Sequence, residues 1–341
     1  AGLFLAHTSN NGITHSSNFA FGSQEGLIYA ATTGGTSGSI TLSGVLSGSN
    51  GVTRFGDGIL ILSGANTFTG PLTINSGETR LNNLAAAGGS ATTPGEVNLY
   101  GGSLYLNATG RYYTNITVRD NARIGNVNVG SSGFNNLTIE PRTGSDAPVI
   151  LWHQDQAGSN STTVWGGLTL NGNAQFDIPH VFQVNGGISG TGNLDKYFNE
   201  RLILAGDSSS YLGNLTAYTS AFVSYNSGST VKPFGATNAV TINPGGGITL
   251  AAPTNINAGQ VTLNSDHGGV SYLGQLYVAD PATTLPAFTV NSSAPWKGAF
   301  GVGAVGFSVD IDQTTLFGGN AYLGAPLGYT GIYTGTLTSS A

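Results

Sequence analysis

Asp310 and Asp312, in the run SVDID, are the two carboxylates whose spacing points most directly to chemistry. Placed at i and i+2 they share one face of a strand. That arrangement suits a pair of acids flanking a glycosidic bond about 5 to 9.5 Å apart, a surface calcium contact, or a plain solvated strand edge. A second group, Asp195, Lys196, Glu200, Arg201 and Asp207, mixes acids and bases in one short stretch and reads as a solvated corner. A lyase needs a base beside clustered carboxylates, and Lys196, Lys232 and Lys297 are too scattered to supply one. His153 and Asp155 of WHQDQ can meet on one strand face, where a surface pair is expected. His7, His15, His180 and His267 form no close pair or HExxH spacing for zinc. There is neither a glycine-X-serine-X-glycine elbow nor a phosphate loop with its lysine. No catalytic residue is expected, and calcium at Asp310 and Asp312 is the only cofactor the sequence suggests.

Aromatic side chains offer a different chemistry, since flat rings stack on sugar faces or pack in a core. Tyr112, Tyr113, Trp152, Trp165, Trp296, Tyr322, Tyr329 and Tyr333 are the candidate platforms. Asn-X-Ser/Thr triplets at Asn107, Asn115, Asn136, Asn160, Asn214 and Asn291 are acceptors only in a glycosylating host. Charged residues make up 8 % of the 341 residues, the net charge is −6, and no Lys/Arg stripe could track a phosphate backbone. Nucleic acid is therefore not an expected partner. Cysteine is absent, which removes disulfides and thiolate chemistry together. A chain that starts at Ala1 and has no methionine reads as a processed, secreted product. No apolar run is long enough to span a bilayer as a helix.

The elements that must carry these residues are short and β-rich. SITLSGVL, GILIL, PLTI, EVNLY, SLYLN, TNITV, NLTIE, PVILW, GLTL, RLIL, AVTI, GITL and QVTL recur every ten to fifteen residues, with Gly, Asn or Ser between them. Helical periodicity is not sustained, and only Leu81–Ala91 could make a helical turn. Asn-Gly hairpin signals at Asn11, Asn50, Asn171 and Asn185 are too few for a meander. Glycine, 54 of 341 residues, instead suits corners where the chain turns without reversing. The expected fold is an all-β, right-handed parallel β-helix with about 20 to 25 residues per coil and a non-repeat C-terminal β segment. A β-sandwich or jelly roll is the alternative. GILIL and RLIL are apolar on both faces, so their outer faces require cover from a loop or another subunit. The expected division is an N-terminal strand or cap over 1–40, a solenoid over 41–285, and a cap or assembly segment over 286–341.

GDGILILSGANTFTGPLTINSGETRL, from Gly56 to Leu81, returns in degraded form as NERLILAGDSSSYLGNLT, from Asn199 to Thr216, with Arg54 and Phe55 aligned to Lys196 and Tyr197. The first copy resembles the autotransporter-associated β-strand repeat through Leu60, Leu62, Gly64, Asn66, Phe68, Gly70, Thr73 and Gly77. The second keeps Leu202, Leu204, Gly206, Tyr211 and Gly213, and has Asp207 to Ser210 in place of the alanine-asparagine. The resemblance implies a right-handed β-helix exported to the surface of Gram-negative bacteria, within adhesin-like or structural proteins. The expected function is a non-enzymatic extracellular protein, structural or adhesive. Solenoid ends expose unpaired strand edges, so self-assembly into a homo-oligomer or filament is expected through Gly2, Leu3, Phe4, Leu5 and Ala6 and through Tyr329, Ile332, Tyr333 and Leu337. A monomeric module binding surface polysaccharide and a polysaccharide-degrading β-helix are the alternatives.

Overall fold

The alternation of Val52, Arg54 and Leu72, Ile74 with Thr and Phe partners sets which side chains face inward, because successive residues of a strand point to opposite faces. In the computed structural model, which describes residues 2–7, 12–32, 38–127, 130–154, 161–224, 230–264, 275–278, 288–291, 299–302, 305–312, 314, 322–324 and 332–339, this alternation builds stacked parallel coils. The described chain forms two compact units, Ala1–Ala174 and Gln175–Ala341.

In the first unit one sheet runs, in spatial order, through Gly2–His7, Gly26–Thr32, Val52–Phe55, Leu72–Ile74, Gly95–Leu99, Thr114–Val118, Leu137–Ile139 and Leu168–Leu170. A second runs through Ile13–His15, Ser39–Leu42, Ile59–Leu62, Glu78–Leu81, Ser103–Leu106, Ala122–Asn126 and Val149–His153. Gly110–Arg111, Ser132–Phe134 and Thr162–Val164 make a third wall. The coils are unequal in length: the step from Leu137 to its neighbour Leu168 is far longer than the step from Gly95 to Thr114, a wider spread than the near-uniform coil expected. Val52, Leu72, Val97, Ile116, Leu137 and Leu168 stack coil on coil and are all fully buried. Each such side chain contributes about 1.5–3 kcal/mol on leaving water, which is how a chain without disulfides holds its coils together.

The second unit repeats the plan. Leu194–Tyr197, Leu215–Ala217, Val240–Ile242, Val261–Asn264 and Phe288–Asn291 form one parallel ladder. Leu202–Leu204, Ser220–Val223, Gly246–Leu250, Gln275–Val278, Ala299–Val302 and Tyr322–Gly324 form another. Val305–Phe307 pairs with Ile332–Tyr333, and Ile311–Asp312 with Leu337–Thr338, so parallel pairing continues within the segment expected as a cap. Every ladder pair described is parallel, and the sandwich alternative gives way to a β-solenoid.

Local differences from the sequence reading have simple causes. Between Asn83 and Gly88 the chain makes two successive turns, Ala86 N–H to Asn83 O and Gly88 N–H to Ala85 O, instead of a helix. The Asn83 side chain accepts from Ala85 N–H at 2.9 Å and competes with helical pairing. The outward face of Ile59–Leu62 is half-covered at Ile59 and Ile61, whereas Ile203 in Leu202–Leu204 is buried along with its neighbours.

Candidate functional site

Asp310 and Asp312 each face a backbone amide. Asp310 Oδ1 accepts from Thr336 N–H at 2.7 Å, which holds its carboxyl below the usual range, and Asp312 Oδ1 accepts from Thr314 N–H at 2.9 Å and Thr314 Oγ1 at 2.6 Å. Among the described residues no group of three or more His, Cys, Asp or Glu is placed to hold a metal ion. His153 is buried, not at the surface as expected, because Val149, Leu151 and His153 share the inward face of their strand. Its Nε2 lies 2.9 Å from Thr162 Oγ1. Asp155, His267, Trp296 and Tyr329 lie outside the described residues.

The mixed-charge cluster holds the largest surprise. Lys196, expected on a solvated corner, is 0 % exposed and stands in the inward row with Ala217, Ile242 and Leu263. Its Nζ donates to Phe198 O at 3.1 Å and Thr219 O at 2.8 Å, and burial, only partly countered by Glu200, pulls its pKa down to about 7. Asp195, on the same strand, is raised by burial against a hydrogen bond from Thr216. Asp207 is exposed and held below its ordinary value, chiefly by Lys232 N–H and Ser209.

The aligned Arg54 is also 0 % exposed, in an inward row between Ile28 and Ile74. Its Nη1 donates to Gly56 O at 2.6 Å, and its Nη2 to Gly58 O and to Glu78 O. Burial lowers its pKa to about 10, with Asp57 and Glu78 opposing. In both places a cation inside the coil gathers carbonyls that the turning backbone aims at it, since an unpaired buried carbonyl is costly. The rest of the corner matches as well. Ser76 Oγ donates to Gly56 O at 2.9 Å and Thr219 Oγ1 to Phe198 O at 3.0 Å. Asn66 Oδ1 accepts from Leu46 N–H, and Ser208 Oγ from Ile188 N–H, both at 2.8 Å. Phe68 and Tyr211 fill the turn that follows, both buried, and Tyr211 O–H donates to Gly192 O at 2.8 Å. The first copy places glycine at its left-handed corners, Gly56 (φ 99°) and Gly77 (φ 66°). The second has Phe198 (φ 68°) and Ser220 (φ 55°) there, the two non-glycine residues with positive φ among the described residues.

The aromatic candidates divide. Tyr112 is fully buried, its O–H donating to Leu81 O at 2.6 Å, and burial pushes it up to about 12. Tyr333 O–H donates to Thr336 O at 2.6 Å and accepts from Ile311 N–H, which ties neighbouring coils together. Trp165 is 44 % exposed with the Arg111 guanidinium 6.0 Å from its ring, and Trp152 carries Arg123 at 5.9 Å. Tyr100, which the sequence reading missed, is 49 % exposed with Arg119 at 5.8 Å.

Of the assembly candidates, Gly2 to Ala6 pair along their whole length with Gly26–Thr32, which occupies one edge of that strand. The other edge meets no strand among the described residues. Leu337 is exposed at the surface of its short strand pair.

Residues 52–81 match the passenger-associated transport repeat, the segment whose corner is held by Arg54. Over 101 residues the chain is 40 % identical to "Adhesin BmaC autotransporter" of Brucella suis biovar 1 (strain 1330). That region is 29 % of this chain and 3 % of the relative, so the chain spans only a small fraction of the length of the protein it matches. No solved structure matches. The described residues form a β-solenoid, and residues 52–81 carry a repeat of the autotransporter passenger type.

Proposed function

We propose that this chain is part of an exported cell-surface protein that works by adhesion, with the solenoid as a non-enzymatic scaffold presenting its outer side chains to a partner surface. The observation that supports this reading is the repeat corner at residues 52–81, which matches the passenger repeat and is rebuilt at 194–220 in a chain similar to an adhesin. The acids most suited to catalysis are each engaged by a backbone amide, Asp310 by Thr336 N–H and Asp312 by Thr314 N–H, as structural carboxylates are. Displaying the chain on a non-adherent bacterium should confer attachment to cells or matrices, and attachment no better than that of cells with an empty display scaffold would reject the proposal.

Assembly is the finer part of the proposal. The strand Gly2–His7 and the exposed Leu337 are the surfaces proposed for a second copy, by addition of a strand to a sheet edge. Size-exclusion chromatography and negative-stain imaging over a wide concentration range test it. A particle that stays monomeric throughout defeats assembly without touching adhesion.

A further inference from the structure

We infer that Tyr100, Arg119, Arg123 and Trp152 form a binding site for an anionic saccharide. The inference deepens the adhesive reading and rests on it.

The arginines of the first unit fall into two groups by what neutralises them. Arg54 is buried, Arg80 pairs with Glu78 at 2.5 Å, and Arg142 pairs with Asp120 at 2.9 Å. Arg111, Arg119 and Arg123 have no carboxylate partner among the described residues, and each lies over an aromatic ring instead. Between Glu96 and Glu140 the sequence holds these three arginines and one acid, Asp120, which Arg142 already occupies. Register also sets Glu140 beside Arg119 on the following coil, where its Oε1 accepts from Asn171 Nδ2 at 3.1 Å and forms no ion pair with Arg119 among the described residues, so these guanidiniums stay without an ion pair in a chain of net charge −6.

Coil register draws two of the three pairs together. Leu99 lies beside Val118, which sets Tyr100 next to Arg119 on the neighbouring coil. Arg123 lies directly beside Trp152 on the coil after that. Arg119 and Arg123 flank a single corner, Asp120–Asn121, so one contiguous patch takes its residues from three successive coils. The Nε of Arg119 is buried and has no hydrogen-bond partner, and the Tyr100 ring is half exposed.

This combination fits an acidic sugar. The apolar face of a sugar ring packs against an exposed aromatic ring, and a guanidinium receives a carboxylate or sulfate through two parallel hydrogen bonds. Arginines already laid along aromatic rings lose less side-chain freedom on binding than free ones. Two guanidiniums flanking one corner are too few to follow a polynucleotide backbone, whose affinity grows with the number of phosphates neutralised.

The test uses the full chain and isothermal titration with a heparin-derived hexasaccharide, a galacturonate hexasaccharide, neutral maltohexaose and a short single-stranded oligonucleotide. At least one anionic sugar should bind, more tightly than maltohexaose and the oligonucleotide. Comparing sulfated with carboxylated sugar identifies the preferred acid. R119Q/R123Q should weaken binding about tenfold or more, since the charge-assisted bonds it removes are the strong ones. R80Q, on an arginine already paired, should change it little. Y100A, at an exposed ring, should also weaken binding without lowering the melting temperature, and it decides the matter if the double variant folds poorly. Equal binding of neutral and anionic sugars, tighter binding of the oligonucleotide, or undiminished affinity in R119Q/R123Q or in Y100A overturns the inference. Attachment by displayed protein that binds no acidic sugar would sink this site alone and leave the adhesive reading standing.

Discussion

The two copies of the repeat solve one corner with different residues. Around Arg54 the left-handed positions are glycines, and a Cβ at Gly77 would collide with Arg54 Nη1, so the forked guanidinium occupies the space a side chain would need. Around Lys196 the narrower ammonium leaves room for Ser220, and the corner tolerates Phe198 in a conformation that costs a non-glycine residue about 1 kcal/mol or more. The cation and its carbonyl partners persist while the glycines do not. The carbonyl-gathering cation is therefore the part of the device that the fold needs, and glycine is one way to accommodate it. The copies also differ in how firmly they hold the charge: a guanidinium near 10 keeps its proton, while an ammonium near 7 loses it as pH rises above neutrality.

The largest way to break the comparison is at the first cation. R54A removes a buried side chain and strands the carbonyls of Gly56, Gly58 and Glu78, and should cost about 3–5 kcal/mol in denaturant unfolding. Lys196 gives the next effect, on the order of a few kcal/mol. Its pKa is lowered on folding, so the unfolded chain binds the extra proton between about 7 and 10.5, and stability should rise with pH across that window and fall as pH drops toward 7. K196R/S220G, which restores the guanidinium and the glycine that makes room for it, should flatten that rise, and a slope equal to the parent's would show that another group carries it. Y211F should cost about 1 kcal/mol through loss of the bond to Gly192 O, a bond Phe68 lacks at the same place in the other copy. F198G should have the smallest effect, a stabilisation of under about 1 kcal/mol measured by thermal melting, because relief of a left-handed phenylalanine exceeds the entropy that glycine adds to the unfolded chain.

Period-two alternation and the repeated phrase were enough to read parallel coils from the sequence, since Val52, Leu72 and their counterparts fall where a one-wall-in pattern puts them. The same alternation puts Arg54 in phase with Val52 and Lys196 in phase with Leu194, so burial of both cations was written in VTRF and LDKY. The general rarity of buried charge outweighs that signal when the sequence stands alone. His153 repeats the lesson within VILWH. The Tyr100, Arg119, Arg123 and Trp152 patch was not legible in the same way. It depends on which coil lies beside which, and because coil lengths vary from one turn to the next, no spacing rule aligns Arg123 with Trp152.

Because each strand bonds to the one laid down a coil earlier, nothing in either unit must close on itself as a barrel does. Such a unit can gain or lose whole turns: inserting another turn that keeps the inward row and the carbonyl-binding corner adds a coil without altering the strand pairs on either side. GDGILILSGANTFTG and its degraded counterpart NERLILAGDSSSYLG mark two turns that share this interchangeable plan.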